Sequence, residues 1–239
     1  MTPVVDTGRS PHARLRPVPV ETVKLADSVW APRINLLRDV ILPAQYRHIE
    51  ETGRLDNFRR ASGRKDCAFQ GIFFNDSDVY KWAEAASLVV GGGEASRLAR
   101  ILDMVIEEIA AAQQPDGYLN TYFMFEKTGE RWSNLKDMHE LYCGGHLIQA
   151  AVAHHRATGG DALLNVARRF ADHVDGVFGP PEKGKRLGAC GHEEIEPALV
   201  ELFRETGERR YLDLAAFFVG ARGRGAVSGQ AYHQDHKPF

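Results

Sequence analysis

The chain has 239 residues, of which 44% are hydrophobic and 26% charged, and its formal net charge is −2. These are the proportions of an ordinary globular chain with room for one sizeable core or two small ones. No clustered cationic stripe is present to meet a phosphate backbone, which excludes nucleic acid as a partner, and no run approaches the ~20 apolar residues of a membrane span.

Met1 to Val20 lacks the apolar stretch of a signal peptide and is rich in proline and arginine. It reads as an extended or disordered lead-in covering residues 1–22, and a cytoplasmic location follows as the default. Three cysteines, an odd number, argue against a disulfide framework.

From Pro32 onward the apolar spacing is helical and strand-like alternation is scarce. The first predicted helix runs from Pro32 to Glu51 on Ile34, Leu37, Ile41 and Leu42, with Pro43 kinking or dividing it and Thr52-Gly53 ending it. A second starts near Asp76 or Asp78, where an aspartate can cap free amides, and stops at Gly91-Gly92-Gly93. A third covers Glu94 to Gln114, and Pro115-Asp116-Gly117 turns the chain after it.

The second half carries an internal repeat. Ala150, Val152, Thr158, Gly159, Leu164, Ala167 and Phe170 recur 48 positions later as Ala198, Val200, Thr206, Gly207, Leu212, Ala215 and Phe218. Each copy reads helix, Thr-Gly stop, helix, and a weaker third copy aligns Gly93 with Gly159 and Leu98 with Leu164. Repeating helical hairpins of this period favour a closed ring over a short-period array. About seven helices, three hairpins and one extra, make roughly half of a six-hairpin barrel. Residues 23–223 are read as that partial domain, and residues 224–239 as a polar tail.

Three segments are richer in polar and aromatic residues than a scaffold needs. Phe69 to Asp78 leads into a helix, and its aspartates taken singly read as caps. Gln113 to Leu119 sets Gln113, Asp116 and Tyr118 on a tight turn, either a plain turn or a place for a sugar's hydroxyls and C–H face. In His139 to His146, His139, Cys143 and His146 fall on one face of one helix, and Gly144-Gly145 there implies close approach by a neighbour or ligand. The segment Cys190 to Glu196 begins the repeat-related helix, so His139 and His192 can face one cavity. Glu193, Glu194 and Glu196 read as first-turn acids that the helix dipole favours. Cys143, His146, Cys190 and His192 are also open to reading as a four-ligand zinc site. A sugar pocket is preferred, because glutamines and aromatics gather in the same segments.

These segments resemble glycoside hydrolase family 127 in FQGIFFNDSDVYKW (Phe69–Trp82), QQPDGYL (Gln113–Leu119), HELYCGGH (His139–His146) and GHEEIE (Gly191–Glu196), with a weaker match at YHQDHKP (Tyr232–Pro238). The resemblance runs in order from about Val23 to the last residue. It implies an (α/α)6 barrel followed by β-sandwich modules, and exo-acting release of β-L-arabinofuranose with retention. It also implies a zinc-bound cysteine nucleophile with a glutamate acid/base, a variation on the two-carboxylate scheme. His139 and His192 correspond to two histidines of the family's sugar pocket. The catalytic glutamate, the zinc ligands and a third pocket histidine lie further along in the family than this chain reaches. No catalytic or metal-ligating role therefore passes to Cys143 or Cys190. The expectation is a catalytically incomplete hydrolase, binding an L-arabinofuranose-containing saccharide and self-associating through exposed half-barrel faces. The alternative is a non-catalytic helical-hairpin protein that binds a saccharide or a protein partner.

Overall fold

A computed structural model describes residues 7–8, 10–18, 22–26, 28–93 and 95–225. The weaker motif at Tyr232–Pro238 and most of the expected polar tail lie outside the described residues. Among the described residues the architecture is helical, with one isolated bridge, between Phe178 and Arg186.

The helix predicted around Pro43 is continuous rather than divided, with a change of helix type before the proline. It comprises α1 (Trp30–Leu36), a π-helical segment (Leu37–Ile41) and α2 (Leu42–Glu51). Proline lacks an N–H and its ring crowds the carbonyl four residues back. The wider π turn directly before Pro43 absorbs both effects, and Pro43 stands in the first turn of α2.

Then come α3 (Arg54–Ala61), α4 (Asp76–Gly91), α5 (Ser96–Ala112), α6 (Glu140–Thr158), α7 (Ala162–Val177), α8 (Ile195–Thr206) and α9 (Arg209–Ala221). The three predicted hairpins are α4/α5, α6/α7 and α8/α9. The Thr-Gly stops close α6 and α8 as expected, with Gly159 and Gly207 in the left-handed region at φ 75° and 74°. Helix α3 is additional to the sequence reading. Its only buried apolar side chains are Leu55 and Phe58, set in a charged segment.

The hairpins stack in two rows. Helices α4, α6 and α8 pack side by side as an inner row, and α5, α7 and α9 form the outer row. The inner helices are parallel, because contacts step along them in the same sense: Lys81 with Tyr142, Gly91 with Ala157, His146 with Glu194, Arg156 with Glu201. Helix α2 packs against α4 in the opposite direction. Trp82 Nε1 donates to the Leu42 carbonyl at the start of α2, and Arg54, just past its end, pairs with Asp78 in the first turn of α4. This is the arrangement of part of an (α/α)6 barrel.

Two glycines set the spacing inside it. A β-carbon on Gly144 would stand 2.1 Å from the fully buried Phe170 ring of α7, and one on Gly145 would stand 2.8 Å from the Glu194 backbone. Glycine in a helix interior costs about 1 kcal/mol against alanine. Here it lets α6 approach α7 and the start of α8 more closely than any side chain allows.

Candidate functional site

Parallel inner helices bring their N-terminal ends to one mouth, and the polar segments of the sequence gather there. His139 is the residue before α6 and holds the left-handed backbone region at φ 61°, uncommon outside glycine. Its Nδ1 contacts the Asp137 carbonyl, and its ring lies against Phe73 and Phe74, at centroid distances of 5.4 Å and 5.2 Å. His192 comes from the loop before α8, and its ring centroid is 4.4 Å from that of His139. The loop is held by Gly191, whose N–H donates to the Leu135 carbonyl at 2.9 Å; a β-carbon there would lie 2.0 Å from the Lys136 carbonyl oxygen.

Tyr142, one turn into α6, stands between three imidazoles. Its ring is 5.3 Å from His139, 5.4 Å from His192 and 4.5 Å from His146. Lys81 of α4 donates to its hydroxyl at 2.7 Å, and the ammonium also lies 4.9 Å from its ring centre. His146 Nδ1 is 3.2 Å from Glu194 Oε1.

Burial, more than pairing, sets the charge state of this cluster. It lowers His139, lowers His146 to about 4 with a further push from Lys81, and raises Glu194 to about 7, with Glu84 adding repulsion. The His146–Glu194 contact has the geometry of an ion pair, but both partners are displaced towards their neutral forms. It is a hydrogen bond near neutral pH. The mouth therefore presents the imidazoles of His139 and His146 held towards their neutral forms, a phenol and one ammonium, groups that exchange hydrogen bonds with hydroxyls.

Of the five residues expected to face a sugar, the structure brings His139 and His192 together and leaves the other three apart from them. Gln113 is buried and its Nε2 donates to the carbonyls of Gly117 and Val166, both at 2.9 Å, tying the end of α5 to α7. Tyr118 is fully buried; its hydroxyl donates to Glu140 at 2.6 Å and its ring packs on Trp132 and His173. Asp116 is half exposed on the same turn, where its Oδ1 accepts from the Tyr118 N–H at 3.0 Å. Turn chemistry made these residues conspicuous, but it carries no information about which way the turn faces.

Behind His139, Glu140 is buried and accepts from Tyr118 and from the Trp132 N–H, both at 2.6 Å. Burial raises it to about 7. Asp76, in the first turn of α4, accepts from Thr121 and is raised to about 6, again by burial. Sequence reasoning missed Glu140, Lys81 and Tyr142. Lys81 had a signal, as the lone lysine of an otherwise apolar and acidic helix.

The zinc reading finds no support in this donor set. Among the described residues no three His, Cys, Asp or Glu side chains come together as a metal-holding group. The Cys143 thiol donates to the Phe74 carbonyl, and burial pushes it well above its usual value and Cys190 up to about 12. The described residues do not fit the metal, and no step is derived through it.

A family model described as the GH127 catalytic domain of β-L-arabinofuranosidase matches residues 22–239. A non-reducing end β-L-arabinofuranosidase of Bifidobacterium longum subsp. longum is 44% identical over 173 residues, covering 70% of this chain and 26% of that relative. A crystal structure of a GH127 β-L-arabinofuranosidase from Geobacillus stearothermophilus T6 matches with a TM-score of 0.82 at 42% identity, over 90% of this chain and 34% of its own. A second solved structure, a GH127 β-arabinofuranosidase, gives 0.82 at 38% identity, over 93% and 36%. The chain thus spans between about a quarter and about a third of the length of these relatives.

Proposed function

This chain belongs to the GH127 family of β-L-arabinofuranosidases, and on that premise we propose that it supplies the sugar-holding mouth of an enzyme releasing β-L-arabinofuranose from the non-reducing end of a saccharide. The observation that carries the reading is the adjacency of His139 and His192, neighbours at the common end of two parallel helices. Neutral imidazole has one donor and one acceptor nitrogen, which suits a sugar hydroxyl that does both. Phe73 and Phe74 beside them offer apolar ring surface to a sugar's C–H face. In this reading the chain's own residues bind and orient the sugar. Retention and exo action belong to the family resemblance. Gln113, Asp116 and Tyr118 serve as the scaffold that fixes the loop leading to His139. A cytoplasmic location is part of the proposal, and three free thiols support it.

Two measurements test it. Calorimetric titration with L-arabinose is expected to give saturable binding that weakens when His192 is changed to alanine. If the titration is flat, the sugar-pocket reading is wrong. Assay on p-nitrophenyl β-L-arabinofuranoside, with and without added zinc, is expected to show no turnover above background by this chain, since no acid/base or nucleophile is assigned within it.

A further inference from the structure

We propose that Tyr142 is a sugar-contacting residue, and that Lys81 aims its hydroxyl hydrogen into the pocket. The inference rests on the sugar-pocket reading above and adds a residue to it.

The argument is one of donors and acceptors. An ammonium group donates three hydrogen bonds and accepts none. Lys81 Nζ lies 2.7 Å from Tyr142 Oη, so at this contact the phenol oxygen must accept. Its own hydrogen is then committed to another direction. Among the described residues no acceptor stands within hydrogen-bond distance of it, although the ring is surrounded by His139, His146 and His192. Tyr142 is half-buried with its ring among three imidazoles, and in this proposal the uncommitted hydrogen points into the space they share.

Lys81 is itself held for this task. Its second contact is the Ser77 hydroxyl one turn earlier on α4, at 3.5 Å, and no carboxylate lies within ion-pair range of it among the described residues. Its charge reaches the Glu194 carboxyl only at longer range, and a half-buried ammonium costs solvation unless something uses its field. Here a phenol oxygen lies in that field, and a hydroxyl that accepts from a cation becomes a stronger donor through the cooperativity of linked hydrogen bonds. The acceptor it awaits is an uncharged oxygen, since a carboxylate ligand would pair with Lys81 directly. A sugar hydroxyl or ring oxygen has that chemistry.

The test is calorimetric titration of the full chain with L-arabinose, comparing Tyr142→Phe, Lys81→Met and the double variant, each checked for an unchanged helical circular dichroism spectrum. Tyr142→Phe is expected to weaken binding about tenfold, the range for one hydrogen bond left unmade in a desolvated site. Lys81→Met is expected to weaken it several-fold when Tyr142 is present and to add nothing when the hydroxyl is gone. If Tyr142→Phe binds as the unaltered chain does while His192→Ala weakens binding, this proposal fails and the pocket stands. Additive losses from the two changes overturn the aiming role of Lys81. If the unaltered chain does not bind the sugar, both readings fall together. Should Tyr142→Phe not fold, Lys81→Met decides alone, and undiminished affinity overturns the proposal.

Discussion

His139 and His192 lie with ring centroids 4.4 Å apart, each placed by backbone and not by a bond between them. His139 is set by its left-handed φ of 61° and His192 by the glycine beside it that touches Lys136. Asparagine tolerates the left-handed region better than most residues. His139→Asn therefore removes the imidazole while leaving the entry to α6 unstrained. L-arabinose affinity is expected to fall about tenfold with little change in thermal midpoint, as read by titration and by scanning calorimetry. A large drop in midpoint with binding intact would instead mark His139 as a structural residue.

The close approach at α6 predicts a stability effect. Gly144→Ala puts a methyl 2.1 Å from a ring atom of Phe170, which is fully buried and has nowhere to go. The better helix propensity of alanine returns about 1 kcal/mol, and overpacking costs about 1–3 kcal/mol. A net loss in urea unfolding free energy is expected. Alanine at the exposed Gly129, with open space around it, is the contrasting control.

Glu140 predicts a pH dependence with a definite sign. Its folded-state value of about 7 lies above the ordinary 4.5, so the native state keeps the proton longer than the unfolded chain does. The contribution of this carboxyl to stability is complete below about pH 4.5 and is lost as pH rises through 7. Glu140→Gln cannot titrate. The stability gap between the unaltered chain and the variant is expected to narrow by on the order of 2 kcal/mol from pH 4.5 to 7.5. Denaturant unfolding at both pH values checks this, and a gap that widens with pH contradicts it.

The N-terminal helix predicts association. Trp30, Ile34, Leu36 and Val40 are exposed at 60%, 43%, 49% and 54%, and α1 buries no side chain. A surface of that kind is normally covered. Sedimentation is expected to show concentration-dependent oligomers of this chain, shifted towards monomer by Trp30→Ser with Val40→Asp. An unchanged monomer at every concentration would remove this expectation.

Much of the fold was legible because its period is. Gly159 and Gly207 stop repeat-related helices, and Ala167 and Phe170 recur as the core positions Ala215 and Phe218. Helix α3 escaped because Leu55 and Phe58 are too few to mark a period in a segment where Arg54, Asp56, Arg59 and Arg60 dominate. The same limit hid the site. Adjacency of His139 and His192 could be read from equivalent positions in the repeat. Burial of Tyr118 and Gln113 could not, because it depends on α7 and on Glu140, which reach them across the fold. Lys81 and Tyr142 lie in two of the family motifs, but they meet across two helices, and no spacing within either helix shows that meeting.

The parallel inner row has an electrical consequence. Each helix carries a partial positive charge at its N-terminal end, equivalent to roughly half a unit. Three such ends, of α4, α6 and α8, point towards the same mouth, where Lys81 adds a full charge. Asp76, Glu140 and Glu196 stand in the first turns of those helices, the position that best offsets the field. Burial makes each of them reluctant to ionise, so the compensation is partial and grows with pH. His139 and His146 in that residual positive potential resist protonation, and the lone pairs of an uncharged polyol are drawn towards it.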